Sequence, residues 1–285
     1  MKMNKVIAAI DGSRSSGSVC DHAAWASQRL GAPLALLHVA RTLHADKEPD
    51  YSGNLVVGNR KQLLDDMVEL EEQRNRLLRE QGKAILADAL ERVKGQGIEV
   101  VERLLRHGRI TEVLNDLEGE ARLVVLGKQG KDGDMVERHV GSHLESLIRI
   151  LKTPLLIAPL EYVQPQSFLI AYDGSASAEK VVDKVAQSPL LKGLPVHLLM
   201  VAEGNGGNQV KMEQAGDKLA AQGFDVIPAI RSGEVLDVIC NYAGEHDIHL
   251  MAMGAFGHSV LRRFFIGSTT TRMVMQAQIP LLILR

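Results

Sequence analysis

The residues of this 285-residue chain whose types and spacing could do chemistry are an aspartate and a glycine-rich run. In MGAFGHSVLRRFFIGSTT, Gly254 and Gly257 stand three apart, and nine residues then precede Gly267-Ser268-Thr269. Glycine has no Cβ, so such a run lets the chain turn sharply and a ligand approach the backbone. Ser268, Thr269 and Thr270 fall where a helix is expected to begin, and unpaired N–H groups at a helix start suit a phosphate. A plain turn followed by a capped helix has the same composition. Asp173 ends an apolar run, FLIAYDGSAS, where its carboxylate could accept hydrogen bonds from an amino group or a ribose hydroxyl. It could equally cap the helix that follows.

Both features recur. VIAAIDGSRSS, from Val6, answers FLIAYDGSASA, from Phe168, pairing Asp11 with Asp173. LGKQG, holding Gly127 and Gly130, answers LMAMGAFG, and Gly141-Ser142 answers Gly267-Ser268. APLALLHVA with Val39 answers LPVHLLMVA with Val201, and PLLIAP answers PLLILR. Matches in the same order imply a duplication, with domains 1–160 and 167–285 joined near LEYVQPQ. Asp11 and Asp173 lie 162 positions apart, but Gly141 and Gly267 only 126, so the first copy holds about 36 extra residues. These are expected in a helical segment at about 42–82, continuing with helical spacing of Leu63, Met67, Leu70, Leu77, Ile85 and Val93, as one amphipathic helix or as two broken at Gly82. It would serve as a partner-binding or lid element, or simply as a solvated helix over the domain edge.

Each copy alternates short apolar strands with amphipathic helices. In the first, strands at 6–10, 34–39, 99–105, 123–126 and 155–158 enclose helices at 18–30, 111–117 and 142–150. The pattern predicts two tandem α/β domains, each a doubly wound, Rossmann-like parallel sheet buried on both faces. Ligands of such sheets bind beyond the carboxyl ends of the strands, where strand order reverses. The Asp173 and Gly254 ends should meet there. The last strands, PLLIAP and PLLILR, would otherwise be open apolar edges, so they are expected to join the copies as an intramolecular pseudo-dimer. A homodimer is a further option.

A net charge of −2 gives no electrostatic case for nucleic acid or a membrane surface. No apolar run approaches the roughly 18 residues of a spanning helix. Cys20 and Cys240 are far apart and fit buried thiols in a reducing compartment, so a cytoplasmic location is expected.

With Gly254, Gly257, Gly267 and Ser268 in the pattern G-x2-G-x9-G-(S/T), Asp173 after the first strand and Val201 ending the second, the chain resembles the universal stress proteins. The resemblance covers all but the extra segment. It implies an adenine-nucleotide-hydrolase-like fold and binding of ATP or AMP, with Mg accompanying ATP, in a stress-response regulator or sensor. On that resemblance Ala171, Tyr172, Asp173 and Val201 would line the adenine pocket. Met253, Gly254, Gly257 and His258 would line the ribose and phosphate path, and Gly267, Ser268, Thr269 and Thr270 would hold the phosphates. A second site would use Asp11, Val39, Gly127, Gly130, Gly141 and Ser142. That copy departs from the pattern: ten residues, with Asp132, Asp134 and Glu137 among them, precede Gly141, and His143 replaces Thr269. Like charges there oppose a polyphosphate, so the second copy is the expected site.

Catalysis finds little support in the residues. GxxxxGK[ST] is absent and so are the kinase motifs, which leaves no assembled apparatus for phosphoryl transfer. The alternatives are a slow ATPase or autophosphorylating enzyme, modified at Ser268 or Thr269, and a nucleotide-free scaffold or chaperone-like protein.

Overall fold

A computed structural model describes residues 4–40, 57–128, 142–204, 206–255 and 268–285, without side chains at 57–64, 142–143 and 268–271. The first copy runs β1 (Lys5–Ala9), α1 (Ser16–Leu30), β2 (Leu34–Ala40), α2 (Val57–Lys94), β3 (Val101–His107), α3 (Ile110–Leu117), β4 (Ala121–Gly127), α4 (Ser142–Ile150) and β5 (Leu155–Ala158). The second runs β6 (Phe168–Ala171), α5 (Ala176–Gln187), β7 (Val196–Val201), α6 (Gly206–Ala220), β8 (Val226–Arg231), α7 (Val235–Glu245), β9 (Met251–Gly254), α8 (Ser268–Gln276) and β10 (Leu281–Leu284).

The ten strands form one sheet in the order β3-β2-β1-β4-β5-β10-β9-β6-β7-β8. Within each copy the strands are parallel, as continuous apolar runs joined by helices require. The copies meet where β10 runs antiparallel to β5, Leu282 opposite Leu156, so the two last strands cover each other's edges as their composition suggested. The outer strands need another protection. β3 carries Glu102, Arg103 and Arg106, and β8 carries Pro228, which has no N–H to offer a further strand.

Two apolar layers flank the sheet. On one face α1, α2, α5 and α6 cover Val6, Leu34, Phe168 and Val196; on the other α3, α4, α7 and α8 cover Ile7, Val124, Leu169 and Met251. Neighbouring positions such as Val6 and Ile7, or Phe168 and Leu169, go to opposite layers because side chains alternate along a strand.

The extra segment contains a single 38-residue helix, α2, that passes through Gly82 without a break. Of the two arrangements, one helix or two broken at Gly82, the single helix forms because the glycine serves packing. A Cβ on Gly82 would lie 2.7 Å from Leu105 Cδ1 and 2.9 Å from His38 Cδ2, so a bare backbone lets α2 cross β2 and β3 closely. Beyond that crossing Leu86, Ala89 and Val93 are buried, and Arg92 makes two bonds of 2.7 and 2.6 Å to Asp21 on α1. Other boundaries moved slightly: α1 begins at Ser16 and β3 at Val101 rather than at 18 and 99.

Candidate functional site

In the second copy strand order reverses between β6 and β9, which pair directly with Leu169 opposite Met251 and Ile170 opposite Ala252. The chain leaving β6 at Asp173 and the chain leaving β9 at Gly254 therefore emerge side by side, as expected for a switch point. β10 is parallel to β9, so the crossover helix α8 between them runs back along the sheet. Its first turn, starting at Ser268, accordingly lies at the carboxyl end of the strands, where its N–H groups face the same crevice.

The turn after β6 is tightly built. Asp173 Oδ1 accepts from the Ser175 N–H at 3.0 Å, and Gly174 takes φ of 69°, a conformation glycine adopts without strain. Ser175, rather than Asp173, caps α5: its Oγ accepts from the Ala178 N–H at 3.2 Å. Asp173 stands exposed at the crevice, held by this turn. Ala171 and Val201, half-buried, pack against the layer that contains Met253, Met273 and Val274, so they floor the crevice beside α8. A Cβ on Gly254 would meet Ser177 and Val181 at 3.6 Å, which shows how closely α5 approaches the end of β9.

The Tyr172 side chain points away from the crevice. Its side chain is 2% exposed and lies in the opposite layer, donating its hydroxyl to Glu179. The physical reason is strand alternation, which sends Ala171 and Tyr172 to opposite faces. Burial, together with Glu179, pushes the Tyr172 phenol up. Burial also pushes the Glu179 carboxyl up, but bonds from Lys218 (2.6 Å) and Tyr172 outweigh it and hold the carboxyl below its usual range. This trio locks α5 to α6 beneath the site.

Lys211 on α6 went unnoticed in the sequence. Its Cδ would lie 2.7 Å, and its Nζ 3.3 Å, from a Cβ on Gly174, so an exposed ammonium crosses the turn beside Asp173. In the first copy Ile85 of α2 takes the corresponding place, 2.9 Å from a Cβ on Gly12. Asp11 repeats the turn geometry, accepting from the Ser13 N–H at 2.9 Å, and Gly127 ends β4 next to β1. Half-buried Val39 and Ala9 take the floor positions there. The two crevices thus share a backbone but differ in charge, one crossed by lysine and the other by isoleucine.

A second asymmetry concerns Lys128, which follows Gly127. It reaches out of its own copy to Met275 O (2.5 Å) and Ala277 O (2.9 Å) at the carboxyl end of α8. Arg285 returns the contact, donating to Arg149 O (2.7 Å) and Leu151 O (3.2 Å) at the end of α4. Each crossover helix is therefore held at its negative end by a cation from the other copy. Burial pushes the Lys128 amine down.

Gly257, His258 and Gly267, and Gly130 and Gly141 with the acidic residues between them, lie outside the described residues. Of Ser142, Ser268, Thr269 and Thr270 only the helical backbone is described. Among the described residues there is no group of three or more His, Cys, Asp or Glu placed to hold a metal ion. None of the described helices is long and apolar enough to cross a membrane.

The sequence profile of the universal stress protein family matches residues 2–159 and again 165–285. The chain belongs to the universal stress protein family. Universal stress protein Slr1230 from Synechocystis sp. is 32% identical over 99% of this chain and all of its own length. A universal stress protein from Archaeoglobus fulgidus DSM 4304 superposes on 99% of the chain, covering 96% of its own, with a TM-score of 0.70 at 17% identity. Another from Archaeoglobus fulgidus, in complex with dAMP, aligns with 42% of this chain and 98% of its own, at 21% identity and a TM-score of 0.34. The family thus covers both copies, and the tandem α/β architecture is shared along the whole chain.

Proposed function

We propose that the second copy binds an adenine nucleotide, ATP or AMP, and that occupancy makes this family member a nucleotide-dependent regulator. The observation that carries this is the convergence of the Asp173 turn, the end of β9 at Gly254 and the first turn of α8 on one crevice at the switch point. The residues fit such a ligand. Asp173 would accept from ribose hydroxyls or the adenine amino group, Ala171 and Val201 would meet the flat base, and the N–H groups from Ser268 to Thr270 would take the phosphates. The run through Gly257, His258 and Gly267 would complete the phosphate path. Lys211 adds positive charge beside the anion, and Mg, where ATP brings it, would be carried by the phosphates. Tyr172 contributes its backbone alone.

In the first copy Ile85 covers the turn and Lys128 is committed to α8, so Asp11, Val39 and Gly127 would form the weaker site. A ligand bridging the α5 turn and α8 would order both, which is how occupancy would change the surface seen by a partner.

The test is chemical identification. Purified chain is denatured, and the released small molecules are separated by anion exchange and identified by mass spectrometry. Nucleotide-free protein is then offered ATP and AMP in equilibrium dialysis. About one adenine nucleotide per chain is expected from the stronger site. Neither co-purified nucleotide nor uptake on dialysis would remove the proposal, and steady ADP release would replace it with an enzyme.

A further inference from the structure

From residue 65 to residue 81, α2 leaves the body of the protein before reaching the close crossing at Gly82. All but Met67 and Leu78 of these side chains are exposed. Leu70 and Leu77 are 64% and 71% exposed. They are seven residues apart, two helical turns, and so share one face. Two large apolar side chains in line on a projecting helix mark a place where something docks.

The charges along this stretch say what that is. Residues 65–72 hold five acids and no base, whereas residues 74–83 hold four bases and a single acid, Glu80. Among the described residues, Glu69 bonds Gln73 of its own helix (3.3 Å) and Lys83 pairs with Glu80 (3.1 Å). Among the described residues, no ion pair links this stretch to another element. A helix that is acidic in one half and basic in the next is complementary to itself when turned end for end.

We propose that a second copy of this chain covers this face, the two α2 helices crossing antiparallel about a two-fold axis between Gln73 and Arg74. In that register position x lies level with position 147 − x, which sets Leu70 against Leu77 of the partner subunit, twice. Helical geometry then fixes the flanks. On one side Glu71 falls two residues, about 3 Å along the axis, from Arg74 of the partner subunit, and on the other Glu69 falls equally close to Arg76 of the partner subunit. Asp65 comes beside the partner's Lys83. Asp66 meets the partner's Glu80, whose charge is already shared with its own Lys83. Such an isologous contact closes at two copies and leaves no surface for further growth.

The alternative edges are poorer. β3 presents charges and β8 a proline, and the two apolar last strands are already joined inside the chain. The contact does not involve the nucleotide crevice and stands whether or not nucleotide binds. The overlap is about 25 Å of helix per copy, at the small end of specific interfaces, so association in the micromolar range is expected.

The test is sedimentation equilibrium of the full chain over about 1 to 100 µM, at low and high salt. Wild type is expected to pass from monomer to dimer, with the transition moved to higher concentration by salt. Glu69→Lys with Glu71→Lys turns both central charge contacts repulsive, and so does Arg74→Glu with Arg76→Glu. Each doubly substituted chain alone should dimerise at least tenfold more weakly, while an equimolar mixture of the two should recover a heterodimer. Leu70→Glu with Leu77→Glu should stay monomeric with an unchanged far-ultraviolet spectrum. A wild type that is monomeric throughout, a dimer indifferent to these changes, or a mixture that associates no better than its components would each overturn the proposal.

Discussion

Gly82→Ala isolates what the long helix owes to its crossing with the sheet. In an exposed helix the change stabilises by about 0.8–1 kcal/mol, because glycine is the costlier residue there. Here the added Cβ would stand 2.7 Å from Leu105 Cδ1 and 2.9 Å from His38 Cδ2, about 1 Å inside ordinary carbon contact. His38 cannot swing aside freely, since its Nδ1–H donates to Ile10 O at 2.8 Å and both groups are buried. Losing that bond costs about 1 kcal/mol, and overpacking of this kind costs about 1–3 kcal/mol. The crowding exceeds the propensity gain, and a net loss of about 1–2 kcal/mol is expected. Urea unfolding followed by circular dichroism measures it. Gly82→Ala combined with Leu105→Ala, which empties the crowded space, should lose less than the sum of the two single changes. If Gly82→Ala alone raises the unfolding midpoint, the close crossing is wrong and the glycine is an ordinary weak point in a solvated helix.

Three further outcomes follow from the described contacts. Asp21→Asn removes the buried charge that binds Arg92 and Gln96, and should destabilise the protein by about 1–3 kcal/mol in urea unfolding while freeing the carboxyl half of α2 to proteolysis. Lys128→Met strips two carbonyls at the end of α8 of their cation and should cost about 1 kcal/mol, with faster amide exchange in α8 and none of that loosening in α3. His22, whose Nδ1–H donates to Ser18 O at 2.8 Å, is held below its ordinary pKa by burial. Its stabilising contribution is complete above about pH 6.5 and is lost as pH falls, because the unfolded chain then binds the extra proton. The thermal midpoint should therefore drop between pH 7.5 and 5.5, by less in His22→Leu.

The duplication and the order of strands were legible because each rests on local patterns that repeat: apolar runs of strand length, DGS turns, and paired glycine runs. From these the meeting of Asp173 and Gly254 follows by topology alone. Tyr172 could have been placed correctly, since alternation in FLIAYD sends it to the face opposite Asp173, yet the resemblance to a known motif assigned it to the site. Lys211 could not be found this way. It enters through a helix–turn contact between segments nearly forty residues apart, and nothing in KMEQAGDK distinguishes it from a solvated lysine. Gly82 carried a signal of the wrong sign. A glycine inside a helical pattern reads as a break, whereas its role depends on His38 and Leu105, residues that only the fold brings near.

The central claim, a nucleotide held between the Asp173 turn and α8, is tested most directly by calorimetric titration of nucleotide-free chain with AMP and ATP. Wild type, Asp173→Asn and Asp11→Asn are compared, because asparagine can keep the turn to the next serine while removing the charge. The account predicts micromolar or tighter binding to wild type, at least tenfold weaker for Asp173→Asn and little changed for Asp11→Asn. Binding that is absent from wild type, or that survives Asp173→Asn and fails in Asp11→Asn, would contradict it.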